Sequence, residues 1–282
     1  MITRTLLEQD GLAVVDYRCD AAPFTPRVVE RHESFSLSYV RNGSFGCETR
    51  GETYELIAGS LLIGYPGDEF VCTHDHHAGG DQCISFQFAP EVADTIGDRS
   101  KWWRAGAMPP HSELVVLGEL AQAAADATAG IALDEVAFLL ARHFLRIASG
   151  TSPIPTAARE RDRRRSIEAA LWIDENAHHV IALQDIAKYV ELSPYHFLRS
   201  FLRVVGITPH QYLLRARLRR AARMLAGDER TITAVAFDVG FGDLSNFIKT
   251  FRRAAGMSPS DFRSRSLRNR SRARPSLGTR SF

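Results

Sequence analysis

The sequence contains few cysteines and no long hydrophobic run. Four cysteines in 282 residues are too few for a disulfide scaffold, so we expect a reducing, cytoplasmic environment. No apolar stretch reaches the roughly 18–20 residues of a membrane-spanning helix, so no membrane partner is expected. The N-terminal stretch alternates apolar with charged side chains, and we therefore expect no signal peptide.

Motifs that mark several enzyme classes are also absent from the sequence. It contains no G-x-S-x-G nucleophile motif, no phosphate-binding P-loop and no dinucleotide-binding fingerprint. The sequence therefore predicts no catalytic residues, and we expect a protein that is not an enzyme.

Charge is distributed unevenly along a chain of otherwise ordinary composition. Hydrophobic residues make up 45% and charged residues 24%, as in soluble globular proteins, and 282 residues suggest two domains. Residues 1–155 contain 11 Lys and Arg against 21 Asp and Glu, whereas residues 156–282 contain 24 against 12. This asymmetry predicts an acidic domain joined to a domain with a polyanionic partner.

Short runs of β-forming residues fill the first part of the chain. They cover residues 35–43, 45–49, 52–57, 60–65 and 82–88, with Gly43, Gly51 and Gly59 between or just after them. Glycine at such positions indicates turns, and closely spaced short strands are typical of a small antiparallel barrel or sandwich.

Two amphipathic helices are predicted after the strands, at residues 112–127 and 132–148. Such a hairpin can close a barrel or bury its apolar stripe against a second subunit, so we expect it to carry the contact of a homodimer. The Ser- and Pro-rich stretch that follows, together with a basic run, predicts a linker over 151–165. The basic, polar residues 265–282 are predicted to be disordered.

The C-terminal region contains an internal repeat. At an offset of 50 residues the chain repeats two phenylalanines, an arginine, a glycine and a proline: Phe197 and Phe247, Phe201 and Phe251, Arg203 and Arg253, Gly206 and Gly256, Pro209 and Pro259. We expect this region to have a self-contained core and to bind DNA without the rest of the chain.

Each copy has the sequence pattern of a helix-turn-helix. In the first copy a short helix over 183–190 is followed by Ser193, a good N-cap, and by a second helix over 194–205. In the second copy the helices cover 233–240 and 244–255, with Asp243 as the N-cap. A helix from residue 208 to about 225, ~25 Å long, joins them and can hold two recognition helices about one DNA turn apart, ~34 Å.

The second helix of each copy has an apolar face and a polar face. Since the phenylalanines occupy the apolar face, we predict that they are core residues and that the opposite face contacts DNA. The predicted DNA-binding residues are Tyr195, Leu198, Arg199, Ser245, Asn246, Lys249, Arg252 and Arg253. Arg199 is predicted to reach base edges. On the joining helix we predict that Arg220 contacts phosphate, with Arg215, Arg217, Arg219 and Arg223 as further candidates.

The stretches LSPYHFLRSFLRVVGITPHQYL (192–213) and VAFDVGFGDLSNF (235–247) resemble the DNA-binding domain of AraC/XylS-type transcription regulators. The resemblance covers about residues 166–263 and departs from the family at Glu191, where glycine is common. The N-terminal half resembles, more loosely, the family's cupin-type effector and dimerisation domain.

The resemblance implies an α+β protein whose N-terminal cupin-like β-barrel with a helical hairpin precedes an all-α domain with two helix-turn-helix motifs. The implied domains are 1–150, a sensor and dimerisation domain, and 166–264, a DNA-binding domain. The implied partners are promoter DNA, RNA polymerase and an unidentified small-molecule or metal effector. Family members are more often activators than repressors.

A cluster of cysteines and histidines lies in the stretch VCTHDHHAGGDQC (71–83). Cys72, His74, His76 and Cys83 have side chains suited to zinc or copper(I), which makes zinc or another transition metal the candidate cofactor. Asp75 and Asp81 are candidate partners of such ligands. The alternatives are a loop with surface histidines and buried cysteines, and a site for thiol redox sensing or ligand contact.

These patterns together predict a sequence-specific DNA-binding transcription regulator controlled by a small molecule, a metal or a redox signal. One alternative is a ligand-independent regulator whose barrel only dimerises. The other is a cupin-type metalloenzyme with a DNA-binding tail, although the usual cupin pattern of His-x-His and a nearby Glu is missing after His76.

Overall fold

The computed structural model describes residues 1–9, 11–23, 25–77, 80–97, 102–126, 132–149, 158–227 and 230–268. The strands are β1 (Ile2–Gln9), β2 (Leu12–Cys19), β3 (Val29–Arg31), β4 (Phe35–Thr49), β5 (Glu52–Ile57), β6 (Leu61–Gly64), β7 (Glu69–Thr73), β8 (Asp81–Phe88) and β9 (Ala107–Met108). The helices are α1 (Pro90–Ile96), α2 (Ser112–Ala125), α3 (Leu133–Ala148), α4 (Glu160–Asn176), α5 (Leu183–Tyr189), α6 (Pro194–Val205), α7 (Pro209–Gly227), α8 (Ile232–Asp238), α9 (Leu244–Ala255) and α10 (Pro259–Arg268).

The strands pair antiparallel, in the order β1-β2-β8-β4-β6-β9. The second half of the long strand β4 also pairs with β5 and β7, and β7 pairs with β3. The predicted β-rich N-terminal region and helical C-terminal region are confirmed. The described strands do not, however, close the predicted barrel, since their order does not return to its start.

Strand β4 continues through Gly43, where the sequence predicts a turn. Gly43 has a φ of 73°, a conformation that favours glycine, and the register against β8 shifts between Val40 and Asn42. A Cβ at Gly43 would lie 2.0 Å from the carbonyl oxygen of Gly80. The glycine therefore bends one long strand, as a β-bulge does, instead of ending it.

The helical hairpin predicted after the strands is present as α2 and α3. On α3, Val136, Leu140 and Phe144 are fully buried at four-residue spacing, which is the stripe expected of an amphipathic helix. Trp103, also fully buried, joins this stripe to the sheet. Its ring lies 5.3 Å from that of Phe35 and 5.7 Å from that of Phe144, measured between centroids.

Helix boundaries differ from the prediction at both ends of the C-terminal region. Helix α4 begins at Glu160, inside the segment predicted as linker, and α10 ends at Arg268, inside the predicted tail. The rest of that linker, up to residue 157, and residues 269–282 lie outside the described residues. None of the described helices is both long and apolar enough to cross a membrane.

The apolar core runs from one half of the chain into the other. Leu114 and Val115 on α2 belong to the same buried cluster as Leu218 on α7 and Phe247 on α9. The expectation of a self-contained C-terminal core is therefore wrong for the second helix pair. This packing holds α7, and with it the helices on either side, against the N-terminal half.

Candidate nucleic-acid interface and ligand cavity

Local signals fix the two ends of both α6 and α9. The Ser193 hydroxyl accepts a hydrogen bond from the backbone N–H of His196 at 3.3 Å, and the Asp243 carboxylate accepts one from that of Asn246 at 2.7 Å. Each helix stops at a glycine in the left-handed conformation, Gly206 at φ 80° and Gly256 at φ 69°. The two helices have the same length and equivalent caps, a side-chain oxygen at the N-cap and a glycine after the last turn, because the sequence repeats these kinds of residue at matching positions.

The inner face of both helices is made of phenylalanine. Phe197 and Phe201 on α6 and Phe247 and Phe251 on α9 have no exposed surface. They pack with their neighbours as tilted or edge-to-face ring pairs, with centroids 5.5 Å apart on α6 and 5.7 Å apart on α9. This burial fixes the orientation of each helix and leaves the opposite face in solvent.

The outer faces carry the residues that the sequence predicted to contact DNA. Tyr195 and Arg199 on α6 are exposed, and the Arg199 guanidinium lies 5.6 Å from the Tyr195 ring centroid. On α9 the exposed Asn246 side chain accepts a hydrogen bond from the Thr250 hydroxyl at 3.2 Å, and Lys249 is exposed. Ser245, Arg252, Arg253 and Arg220 are also exposed, whereas Leu198 is half-buried.

The turns of the two helix pairs share an unusual backbone conformation. Glu191 has φ 52° and Gly240, at the matching position of the second copy, has φ 95°. Glutamate therefore keeps the left-handed turn that glycine forms in the second copy, although this conformation is costly for a residue with a Cβ. The departure at Glu191 does not alter the turn.

Four of the five arginines on α7 make contacts inside the protein. Arg219, which is buried, donates to the Asp174 carboxylate and to the carbonyl oxygen of Ala58. Arg217 donates to the carbonyl oxygens of Ala177 and His179, both at 2.8 Å. Arg215 donates to the carbonyl oxygen of Pro110, and Arg223 donates to the Glu119 carboxylate. These internal contacts weigh against phosphate contacts by the four, most clearly by the buried Arg219, and Arg220 stays the proposed phosphate contact.

A buried carboxylate on α2 ties α7 to the sheet. Glu119, 1% exposed, accepts hydrogen bonds from Arg223 Nε at 2.7 Å and from the Tyr39 hydroxyl at 3.0 Å. Burial raises the pKa of Tyr39 well above its ordinary value, so this hydroxyl keeps its proton and acts as a donor. Sequence reasoning missed Glu119 and Asp174, because each meets its arginine only through the tertiary fold.

The family comparison agrees with the position of the helix pairs. A family model described as a helix-turn-helix domain matches residues 186–265, which run from within α5 to within α10. The C-terminal region is an AraC-type helix-turn-helix domain. Through this domain the chain is similar to DNA-binding transcription regulators of the AraC family.

The relatives match part or most of the chain at low identity. The HTH-type transcriptional activator RhaS of Klebsiella pneumoniae is 24% identical over 253 residues, which is 83% of this chain and 87% of the relative. The melibiose operon regulatory protein of Escherichia coli is 28% identical over 149 residues, 50% of this chain and 48% of that protein. The crystal structure of the AdpA DNA-binding domain with a target DNA is 28% identical, covers 39% of this chain and 96% of its own, and has a TM-score of 0.36.

The N-terminal half of the chain contains a cavity of about 670 Å³. This volume lies in the range of small-molecule sites, roughly 300–1,000 Å³. The wall combines aromatic rings with polar groups and thiols: Tyr17, Phe45, Phe70, His32, Ser36, Gln87, Cys19, Cys72, Cys83, His74 and Asp81. The cavity can therefore hold a small ligand that has both apolar and polar parts.

The predicted cysteine and histidine cluster is divided between two places. His74 lies at the cavity wall, where its Nε2 is 3.7 Å from Cys19 Sγ and 3.5 Å from an Asp81 oxygen. His76 instead faces α4, with Nε2 3.9 Å from a Glu160 oxygen. Among the described residues, the group of at least three potential ligand atoms within 4.8 Å of one another consists of Cys19, His74 and Asp81.

The structure thus places one of the four predicted metal ligands, His74, beside two residues that the sequence did not place in its ligand set. Cys72 and Cys83 line the same cavity, and the Cys83 thiol donates to the other Asp81 oxygen at 3.6 Å. Burial raises the pKa of Cys19, Cys72 and Cys83. Because a thiol reacts with oxidants as the thiolate, this shift weighs against the redox-sensing alternative.

Proposed function

We propose that the protein is a cytoplasmic, sequence-specific regulator of transcription that uses both α5–α6 and α8–α9 as helix-turn-helix units on promoter DNA. The observation that carries this proposal is the matched pair α6 and α9, each with buried phenylalanines inside and exposed polar and cationic residues outside. Helix α7 has 19 residues and is about 28 Å long. This length suits two recognition helices in successive major grooves.

Base reading is assigned to the outer faces of α6 and α9. Arg199 is exposed and can donate two of its guanidinium N–H groups to guanine, and the guanidinium lies 5.6 Å from the Tyr195 ring centroid. Asn246 and Lys249 occupy the corresponding face of α9. Arg220, Arg252 and Arg253 supply phosphate contacts, which position the protein without reading sequence.

The N-terminal half is proposed to sense a small molecule or a metal and to form a homodimer. The cavity of about 670 Å³ supports the sensing role. The subunit contact is proposed at the α2–α3 hairpin, where Phe138 on the outer face of α3 exposes 42% of its surface. The four cysteines are free thiols, as expected in a reducing cytoplasm.

Activation through RNA polymerase is the proposed outcome of DNA binding. The name of the relative RhaS describes a transcriptional activator, and the match spans 83% of this chain. The proposed domains are a sensor over 1–150 and a DNA-binding domain over 166–264, held together by the core that α2 and α7 share.

Two arginines with different proposed roles test DNA recognition. After a preferred site has been selected from random DNA, the full-length chain is compared with Arg199→Ala and Arg220→Ala on that site and on random DNA. Arg199→Ala should lose about 1–3 kcal/mol on the selected site, roughly 5–150-fold in affinity, and little on random DNA. Arg220→Ala should weaken binding to the selected site and to random DNA by similar factors. It should also make the slope of log affinity against log salt concentration shallower by the contribution of about one phosphate contact.

Equal losses on selected and random DNA for Arg199→Ala would contradict its role as a base reader. Binding that does not weaken as salt increases would contradict the proposed DNA-binding function as a whole.

A further inference from the structure

Three side chains from distant parts of the sequence meet at the cavity wall. Cys19 ends β2, Asp81 begins β8, and the register of these two strands places them opposite each other. His74 follows β7 directly. His74 and Asp81 are 7% and 9% exposed, and both border the cavity together with Cys19. The pairing of β2 with β8 therefore positions Cys19 and Asp81, and the end of β7 positions His74. The site does not depend on a loop alone.

The spacing of these groups fits tetrahedral zinc. With Zn–S of about 2.3 Å and Zn–N and Zn–O of about 2.0–2.2 Å, tetrahedral geometry places neighbouring ligand atoms about 3.4–3.6 Å apart. The observed separations are 3.7 Å from Cys19 Sγ to His74 Nε2 and 3.5 Å from His74 Nε2 to the Asp81 oxygen. Ordinary hydrogen bonds between nitrogen and oxygen are shorter, about 2.7–3.2 Å.

The charge of Asp81 has little compensation from the protein. Within the part of the chain that the structure describes, its ion-pair contact is with His74, and no Arg or Lys lies within ion-pair distance. A buried carboxylate without a cation is costly. A divalent cation bound by one carboxylate, one thiolate and one neutral imidazole would make the site electrically neutral.

We propose that Cys19, His74 and Asp81 bind Zn²⁺, with the fourth coordination position open to the cavity. Three protein ligands and an open position are typical of zinc sites that bind a further molecule, whereas purely structural sites use four protein ligands. The class of effector that follows is a small molecule with an oxygen, nitrogen or sulfur donor that completes the coordination. Binding of Zn²⁺ releases the thiol proton of Cys19 to solvent.

The loop after the proposed ligand His74 reaches the DNA-binding half. His76 approaches Glu160 on α4, and His77 Nε2 donates to Glu55 at 3.0 Å. The other oxygen of Glu55 lies 3.5 Å from Arg163 on α4. A metal that fixes His74 would therefore also fix the segment that contacts α4. This regulatory consequence rests on the proposed function, whereas metal binding itself does not.

Metal binding is tested on the full-length chain without DNA. After treatment with a chelator, the protein is titrated with Zn²⁺ against a chromophoric competitor and with Co²⁺ to record the thiolate-to-cobalt charge-transfer band. We expect one equivalent of metal, a charge-transfer band, and binding that weakens as pH falls. Absence of stoichiometric binding by the wild-type chain would overturn the proposal, whatever the variants do.

Matched variants identify the ligands. Cys19→Ser and Asp81→Asn should each weaken Zn²⁺ binding by more than the 10–100-fold seen when residues beside a ligand are changed. Cys72→Ser, a thiol in the same cavity, and His76→Ala, a histidine on the same loop, should leave affinity within about threefold of wild type. Loss of the cobalt band in Cys72→Ser but not in Cys19→Ser would overturn the proposed ligand set.

The regulatory consequence is tested by DNA affinity with and without Zn²⁺. A coupling in the usual range predicts a change of about 5–150-fold in wild type and none in Asp81→Asn. Stoichiometric metal binding with unchanged DNA affinity would overturn the coupling and leave the site in place. Failure to bind DNA under either condition would instead refute the proposed function, because the metal titration uses no DNA.

Discussion

Replacing Glu119 by alanine removes the acceptor that joins α2, α7 and the sheet. Glu119 is 1% exposed and accepts from Arg223 Nε at 2.7 Å, from Arg223 Nη2 at 3.3 Å and from the Tyr39 hydroxyl at 3.0 Å. After the substitution, the Tyr39 hydroxyl keeps only a long contact of 3.4 Å to the carbonyl oxygen of Val115. The buried tyrosine hydroxyl is then poorly satisfied.

The expected cost of Glu119→Ala depends on whether Arg223 and Tyr39 can be solvated once the carboxylate is gone. Removing one member of a fully buried ion pair costs about 3–5 kcal/mol, and an unsatisfied buried hydroxyl costs about 1–3 kcal/mol. The Arg223 side chain is 47% exposed, so its guanidinium can regain solvent. We therefore expect Glu119→Ala to lower the free energy of unfolding by about 2–4 kcal/mol, below the sum of the two costs.

Urea unfolding of the full-length chain measures this cost, with Glu113→Ala on the same helix as the control. Glu113 also contacts an arginine and a histidine, Arg146 and His143, but these three side chains are more exposed than Glu119. An exposed ion pair contributes at most about 1 kcal/mol. A loss below about 1 kcal/mol for Glu119→Ala, or equal losses for both variants, would refute the reasoning.

Two further predictions concern pH and the helix turns. Burial lowers the pKa of His32 to about 4, so the folded protein keeps this ring neutral where the unfolded chain, with a pKa of about 6.5, takes up a proton. The contribution of the neutral His32 ring to the free energy of unfolding is therefore fully present above about pH 6.5 and is lost as the pH falls toward 4. His32→Asn should flatten this part of a plot of the urea midpoint against pH. An unchanged plot would contradict the prediction. Glu191→Gly should be neutral or stabilise the protein by up to about 1 kcal/mol, since it relieves a left-handed glutamate. Gly240→Ala should cost at least about 1 kcal/mol, because a Cβ there would lie 2.8 Å from the carbonyl oxygen of Ala177. Thermal unfolding of Glu191→Gly and Gly240→Ala measures both effects. If Gly240→Ala were the more stable of the two variants, the two turns would not be equivalent.

The helices of the C-terminal half could be predicted closely because their signals are local. Ser193 with His196 and Asp243 with Asn246 mark helix starts through hydrogen bonds within four residues, and Gly206 and Gly256 mark the ends. The repeat of these signals identified both helix pairs from the sequence alone. Helix α4 begins at Glu160, within the segment predicted as a linker, because its charged first turn has the composition of a linker.

Features that depend on strand register and tertiary contacts were not predictable in the same way. Cys19 meets Asp81 only because β2 pairs with β8 across 62 residues of chain, and no sequence spacing records that register. The exposed or buried position of each arginine on α7 likewise depends on where α2 packs. This is why Arg219 and Arg220, adjacent in sequence, have different environments, one buried and the other exposed.

Binding-site selection from random DNA with the full-length chain tests the central claim most directly. If α6 and α9 both read bases, the selected sequences contain two blocks whose centres lie about one helical turn, roughly 10–10.5 base pairs, apart. Arg199→Ala should then relax one block and Lys249→Ala the other. A single block affected by both substitutions, or no enrichment of any sequence, would contradict the account.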